Sequence, residues 1–293
     1  MNLAQANLVG DIGGTNARFA LVDDHNNPQQ AKTYAAEEYG SLADALRRYF
    51  QDVAIEAPSS AAIAVATRVL DDDVEFTNNE RWSFSIDALG KDLNIPHLHV
   101  INDFTALALS VPHIAQSNLE KVGRGESRIN EPLGVVGPGT GFGVSGMIPI
   151  DDRGNWRALD SEGGHCSASV LTERELAVFS VFVKRFGHVS FERFLSGPGL
   201  VNIVNALRKI DGVPQAEIEP EIVTRDGLNG SDAQCEEALA LHIFCALLGS
   251  HWLALALTSR FWRSVCWRGI VPPAWVSFSR NSQSRRALKP RGV

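Results

Sequence analysis

Cysteine is scarce in this 293-residue chain, and its four copies, Cys166, Cys235, Cys245 and Cys266, stand far apart. With no CxxC pair and no histidine at ligand spacing, neither a structural zinc site nor a disulfide framework is expected. Small buried hydrophobes are the role that fits at least three of them. No apolar run reaches the ~18–20 residues that cross a bilayer. The opening Met1-Asn2-Leu3-Ala4-Gln5 has neither the basic flank nor the apolar stretch of a secretory signal. Cytoplasm is therefore the expected compartment, with no membrane partner. Acidic residues, finally, are missing from one stretch altogether. From His251 to Val293 there are seven Arg, one Lys and no Asp or Glu, so within a total of −7 the first 250 residues carry −15. An acidic body argues against nucleic acid as a partner.

What is present reads as a globular α/β protein. Hydrophobic residues make up 44% and charged residues 21% of a chain long enough for two cores. Leu8 to Asp11 is a short apolar strand, Gly13-Gly14 a turn, and Ala17 to Val22 a returning strand. Ser41 caps a helix whose Leu42, Leu46, Phe50 and Val53 share one face. Ala61–Ala66 reads as a buried strand, Phe84–Leu93 as helix, Leu98–Ile101 as strand and Thr105–Val111 as helix. Strands alternating with helices predict a mixed or parallel sheet. Pro, Ser, Asn, Gly and charges over 112–131 place a domain boundary near 110, giving 1–110 and 111–293. The second part opens on another glycine hairpin, from Gly134 to Gly146. Helices follow at about 170–186, 199–210 and 231–257, the last with a capping box at Ser231 and Gln234.

Both hairpins carry residues suited to phosphate. In Asp11-Ile12-Gly13-Gly14-Thr15-Asn16 a carboxylate at a strand end stands beside two glycines, a hydroxyl and an amide. Glycines let backbone N–H groups approach phosphate oxygens with no Cβ in the way. Thr15 and Asn16 can add side-chain hydrogen bonds, and Asp11 can hold Mg²⁺, an ion that keeps several waters and uses few carboxylates. The plain alternative is an ordinary hairpin turn, since Gly-Gly pairs are common turn formers. A second such loop, Gly137-Pro138-Gly139-Thr140-Gly141, favours phosphate. Neither is a GxxxxGK[ST] P-loop, and neither opens a helix with the GxGxxG dinucleotide fingerprint.

Transfer of phosphate to an alcohol needs a proton acceptor beside the reacting oxygen. Asp103, at a strand end, is the candidate; a helix cap is its plainer role. Glu162-Gly163-Gly164-His165 offers a carboxylate and an imidazole on a turn, suited to sugar hydroxyls or simply a polar loop. Glu192 is either a further contact or a solvated helix residue.

The stretches that hold these residues, together with one other, closely resemble the bacterial glucokinases of the actin-like, sugar-kinase and heat-shock-chaperone ATPase superfamily. The matching stretches are VGDIGGTNARFAL (9–21), TNNERWSFS (77–85), INDFTALALSVP (101–112), VVGPGTGFGVS (135–145), SEGGH (161–165) and GHVSFERFLSGPGLVNI (187–203). They follow the family's order and cover about residues 7–250. The resemblance implies an actin-like (ribonuclease H-like) fold of two α/β lobes closing over glucose and Mg-ATP. It implies Asp103 as the base taking the proton of the sugar 6-hydroxyl. Asn102, Asp103, Glu162, His165 and Glu192 would contact glucose. Asp11, Gly13, Gly14, Thr15, Asn16, Gly137, Gly139, Thr140 and Gly141 would line the phosphate site, with Asp11 toward Mg²⁺. The family's usual state is a cytoplasmic homodimer. A cysteine zinc cluster and an N-terminal DNA-binding helix pair, features of the neighbouring repressor-type sugar kinases, are absent.

The likeness breaks after about residue 250. Four of the six tryptophans, Trp252, Trp262, Trp267 and Trp275, fall in the basic stretch. Leu253–Thr258 and Gly269-Ile270-Val271-Pro272 keep fragments of the family pattern. Ser259–Arg263 stands where the family has a glycine-rich turn and a strand, and Arg268 where its GGIVP segment begins. Scraps of pattern separated by Arg/Ser/Trp-rich filler read as a shifted reading frame and a truncated end. Three functions follow as expectations: an ATP-dependent glucokinase, a glucose-binding relative with a damaged nucleotide pocket, or a chaperone-type ATPase lacking sugar specificity.

Overall fold

In the computed structural model, residues 7–25, 27–76, 80–119, 121, 130–215, 217–229, 235–259 and 263–266 are described. The expected capping box at Ser231 and Gln234, Thr77–Asn79 and the stretch from 267 lie outside them. The chain forms two compact units, Met1–Leu107 and Ala108–Val293.

The first unit is a twisted sheet of order β3-β2-β1-β4-β8. β1 (Asn7–Ile12), β2 (Asn16–Val22) and β3 (Pro28–Ala35) form an antiparallel meander, while β4 (Ser60–Val65) and β8 (His97–Asn102) continue the sheet parallel to β1. α1 (Leu42–Val53) begins at Ser41, whose hydroxyl accepts the Asp44 N–H at 3.2 Å. Its expected apolar face is buried, with Leu46 and Tyr49 at 0% exposure. A small antiparallel sheet of β5 (Val69–Leu70), β6 (Asp73–Val74) and β7 (Phe84–Ser85) lies before α2 (Ile86–Leu93). The segment expected to be all helix from Phe84 is therefore split. Ser85 ends the strand and caps α2, accepting the Ala88 N–H. β8 runs directly into α3 (Asp103–Ser110).

The second unit repeats the strand order. β9 (Leu133–Pro138), β10 (Phe142–Pro149) and β11 (Trp156–Leu159) form an antiparallel meander. β12 (Arg263–Cys266) then pairs with β9 in parallel, giving β11-β10-β9-β12. The basic stretch that departs from the family pattern thus still supplies a strand, and β-branched Val265 sits in it opposite Val135. Four helices pack in this unit: α4 (Glu173–Phe186), α5 (Gly197–Ile210), α6 (Pro220–Asn229) and α7 (Glu236–Ser259). α6 escaped the sequence reading because Pro220 and Gly227 obscure its periodicity. A Thr172–Glu175 capping box fixes the start of α4.

α7 corrects the expectation about apolar runs. Its Glu236–Leu255 segment is long and apolar enough to cross a membrane, yet 56% of that window is buried within the protein. Ala240, Leu241, Phe244 and Leu247 join Val204, Leu207 and Phe194 in the core of this unit. The apolar length of α7 is accounted for by that core.

Candidate active site

Parallel strands of an open α/β sheet present functional groups at their C-terminal ends. In the first unit β1, β4 and β8 all end at one edge: Asp11 lies level with Ala64, and Val65 is level with Asn102. With strands ~4.8 Å apart, β1 and β8 stand about 10 Å from one another across β4. Asp11 and Asp103 therefore share one sheet edge. Burial pushes the Asp103 carboxyl up from its ordinary range, and the negative charge of Asp11 pushes in the same direction. A carboxylate so raised accepts a proton more readily than a solvated one.

The plainer role considered for Asp103, helix capping, falls mainly to its neighbour. Asn102 Oδ1 accepts the N–H groups of Phe104 at 2.9 Å and Thr105 at 3.3 Å, and its Nδ2 donates to the Thr67 carbonyl at 3.2 Å. Asp103 shares only the Phe104 N–H. The side chain of Asn102 thus ties β8, α3 and the loop after β4 together.

The turn between β1 and β2 is closed by Gly13 N–H donating to the Asn16 carbonyl at 2.9 Å. Gly14 and Thr15 are exposed. A Cβ added at Gly14 would meet nothing within 4 Å, and one at Gly13 only the Asn16 carbonyl at 3.7 Å. Neither glycine has a positive φ. The protein's own packing does not demand glycine here, which leaves an open row of backbone for an external group. Asp11 makes a cross-strand ion pair with Arg18, Oδ2 to Nη1 2.8 Å, with both side chains more than half exposed.

The second hairpin is held differently. Gly139 N–H donates to the Gly141 carbonyl, and the Gly197 N–H at the start of α5 donates to the Gly139 carbonyl, each at 2.8 Å. Gly137 is buried within β9, whereas Thr140 is exposed and a Cβ at Gly139 would meet open space. Next to this loop the structure assembles Glu162, His165 and Glu192. Glu192 Oε2 accepts the Phe142 N–H at 2.9 Å, just past Gly141. His165 lies between two carboxylates, Nε2 3.6 Å from Glu162 Oε2 and Nδ1 3.9 Å from Glu192 Oε1. The buried Gly163 and Gly164 make this possible: a Cβ at Gly164 would stand 1.9 Å from the Phe142 carbonyl oxygen. The Glu-Gly-Gly-His turn therefore lies directly against β10.

Behind this cluster sits a residue the sequence did not single out. His251 of α7 is 3% exposed, and its ring packs 5.4 Å from Phe142 and 4.1 Å from Phe191. Its Nε2 is buried with no hydrogen-bond partner, and burial lowers its pKa to about 4. One histidine with no motif around it gives no sequence signal.

Comparison with known proteins shows the family. The family model for glucokinase matches residues 8–293, including the basic stretch after residue 250. The glucokinase of Chromobacterium violaceum is 44% identical over 97% of this chain and 80% of its own length. That of Campylobacter jejuni subsp. doylei is 39% identical over 97% and 85%. Among solved structures, a glucokinase from an Antarctic psychrotroph superposes with a TM-score of 0.78 at 28% identity, covering 97% of this chain and 92% of that one. A Balamuthia mandrillaris glucokinase in complex with glucose reaches 0.79 at 18% identity, over 98% and 86%, a likeness of fold. The actin-like α/β fold of the sugar kinases is the fold of this protein, and the chain belongs to the glucokinase family.

Proposed function

We propose that this protein transfers the γ-phosphoryl group of ATP to the 6-hydroxyl of glucose. The observation that carries the reading is the gathering of Glu162 and His165, from one turn, with Glu192, from a later segment, against the second glycine hairpin. A pyranose presents a ring of hydroxyls, and two carboxylates around an imidazole supply acceptors and a donor for them. Asn102 is proposed as a sugar contact on the family resemblance, through the Nδ2 hydrogen that its bond to the Thr67 carbonyl leaves.

Asp103 acts as general base. Its raised pKa favours taking the hydroxyl proton as the oxygen attacks, and the Asp11 charge nearby adds to the pull. Gly14, Thr15 and Asn16 in one loop, and Thr140 and Gly141 in the other, hold the phosphates through backbone N–H groups, hydroxyls and the Asn16 amide, while Gly13, Gly137 and Gly139 shape the two turns. Asp11 faces Mg²⁺. Among the described residues no three His, Cys, Asp or Glu side chains cluster to hold a metal alone. That suits an ion carried in largely by phosphate oxygens and water, with a single exposed carboxylate to meet it. When bound, Mg²⁺ neutralises charge on the phosphates. The proposal includes a cytoplasmic location and a homodimer, in keeping with the family.

The test is glucose-dependent ADP release by the purified chain with Mg-ATP, beside Asp103→Asn. We expect turnover in the parent and a loss of ~10²–10⁴-fold in the variant, with glucose binding retained. Near-full turnover by Asp103→Asn would remove Asp103 as the base. A folded parent that binds glucose but releases no ADP would overturn the kinase reading.

A further inference from the structure

On the helical side of the second unit, α4 and α5 enclose a surface groove of about 160 Å³. By volume this holds roughly five waters, enough for one phosphate group with a few attached atoms. Lys184 and Arg185 enter it from the last turn of α4, Asn202 and Lys209 from α5, and Gln215 from the loop beyond, above a floor that includes buried Phe182. Among the described residues no carboxylate lines it. In a protein of net charge −7, three cations gathered without an acidic partner stand out.

Helix C-termini favour basic residues, which accounts for Lys184 and Lys209 taken singly. It does not account for the way the lining is arranged. The Asn202 Oδ1 is taken up by Arg185 Nη1 at 2.9 Å, which leaves the Nδ2 hydrogens as the part of this amide able to serve a ligand. The Arg185 guanidinium also rests over the Phe186 ring, 4.8 Å from its centroid, so its fork is held without a carboxylate. Among the described residues no ion pair involves Lys184, Arg185 or Lys209. The groove thus combines hydrogen-bond donors and positive charge with an apolar floor.

We infer that this groove is a binding site for a small phosphate-bearing anion, separate from the sugar and phosphate loops. A phosphate dianion matches the charge better than a single carboxylate, and its oxygens accept from planar and point-charge donors alike. The floor can take the carbon skeleton of an organic phosphate. Free phosphate and a sugar phosphate share this chemistry, and the experiment separates them.

Uniformly ¹⁵N-labelled full-length chain is titrated with inorganic phosphate, with a hexose 6-phosphate and with sodium chloride at matched ionic strength, following amide signals of Lys184, Arg185, Asn202, Lys209 and Gln215. The same titrations are run on Lys184→Gln/Lys209→Gln, whose exposed side chains leave the fold and the basal turnover unchanged. Saturable shifts with either phosphate, weakened about tenfold or more in the double variant, are the expected result. Tighter binding of the hexose phosphate assigns the floor to its carbon skeleton; equal binding assigns the site to free phosphate. Shifts reproduced by chloride, absent from these residues, or unchanged in the double variant would overturn the inference. The readout is local to the groove, so it stands or falls independently of catalytic activity.

Discussion

Each unit of this protein carries a three-stranded antiparallel meander extended in parallel, by two strands in the first and one in the second, and each places a glycine hairpin between its first two strands. The two hairpins are nevertheless built to different ends. The first is open: Gly14 and Thr15 are exposed, and the glycines touch almost nothing. The second is bound into its surroundings through Gly197, Glu192 and the close approach of Gly164 to Phe142. Similar sequence signatures therefore serve a free loop in one unit and the wall of a polar cluster in the other. A glycine can be required by packing or by a ligand, and only the surroundings tell which.

The largest effect that would sharpen this contrast is expected at Gly164. A methyl group 1.9 Å from a backbone carbonyl cannot be accommodated by a side-chain shift. Gly164→Ala should force the Glu162–His165 turn off β10, at a cost of about 3 kcal/mol or more. Urea unfolding of the variant should register this, and glucose affinity should fall with it. Parent-like stability would mean that the turn yields easily and that its contact with β10 is not what positions His165.

A second difference lies in how acid acts on the two units. Asp103 has a raised pKa, so its native state takes up a proton before the unfolded chain does, and the burial penalty on its charge is relieved as pH falls. His251 works in the opposite direction. Its native pKa of about 4 lies below the ordinary 6.5, so between those values the unfolded chain binds the proton that the native state refuses. The stability its neutral form provides is complete above about 6.5 and is lost progressively as pH falls toward 4. At about pH 5 the loss is roughly 2 kcal/mol. His251→Phe keeps an aromatic ring between Phe142 and Phe191 and has nothing to titrate. Its stability relative to the parent should improve by that amount between about pH 7.5 and pH 5, a difference in which any packing change cancels. An equal offset at both pH values would show that His251 does not titrate with unfolding.

Much of this was legible from local pattern. The DIGGTN and PGTG turns are legible as hairpins because glycine and threonine between two apolar strands form turns readily. The placement of Asp103 followed from β8 ending at Asn102. Other features depend on tertiary contact and leave no local trace. α6 was hidden by Pro220 and Gly227. The capping role fell to Asn102 because its Oδ1 reaches two N–H groups, a matter of geometry. That Glu192 serves the second hairpin rather than solvent depends on a hydrogen bond across 50 residues of sequence. β12 is the sharpest case, since Arg263–Cys266 was set aside as filler and yet pairs with β9. Strand pairing uses backbone groups common to every residue but proline, so a side-chain pattern can be lost while the ladder survives.

The smallest expected effect bears most directly on the open hairpin. Gly14 needs no unusual φ and would meet no neighbour if a Cβ were added, so Gly14→Ala should leave thermal stability within experimental error of the parent. If the loop exists to bring N–H groups against phosphate, however, the methyl occupies the space the phosphate oxygens need. Losing one such contact corresponds to about 1.4 kcal/mol, or tenfold in nucleotide affinity. Isothermal titration with an ATP analogue, beside a glucose titration that should not change, separates the two roles. If nucleotide affinity survives along with stability, the loop is only a turn, and the two hairpins differ in packing without dividing the work of binding. If affinity falls while stability and glucose binding hold, glycine at this position answers to the ligand, as glycine at 164 answers to the fold.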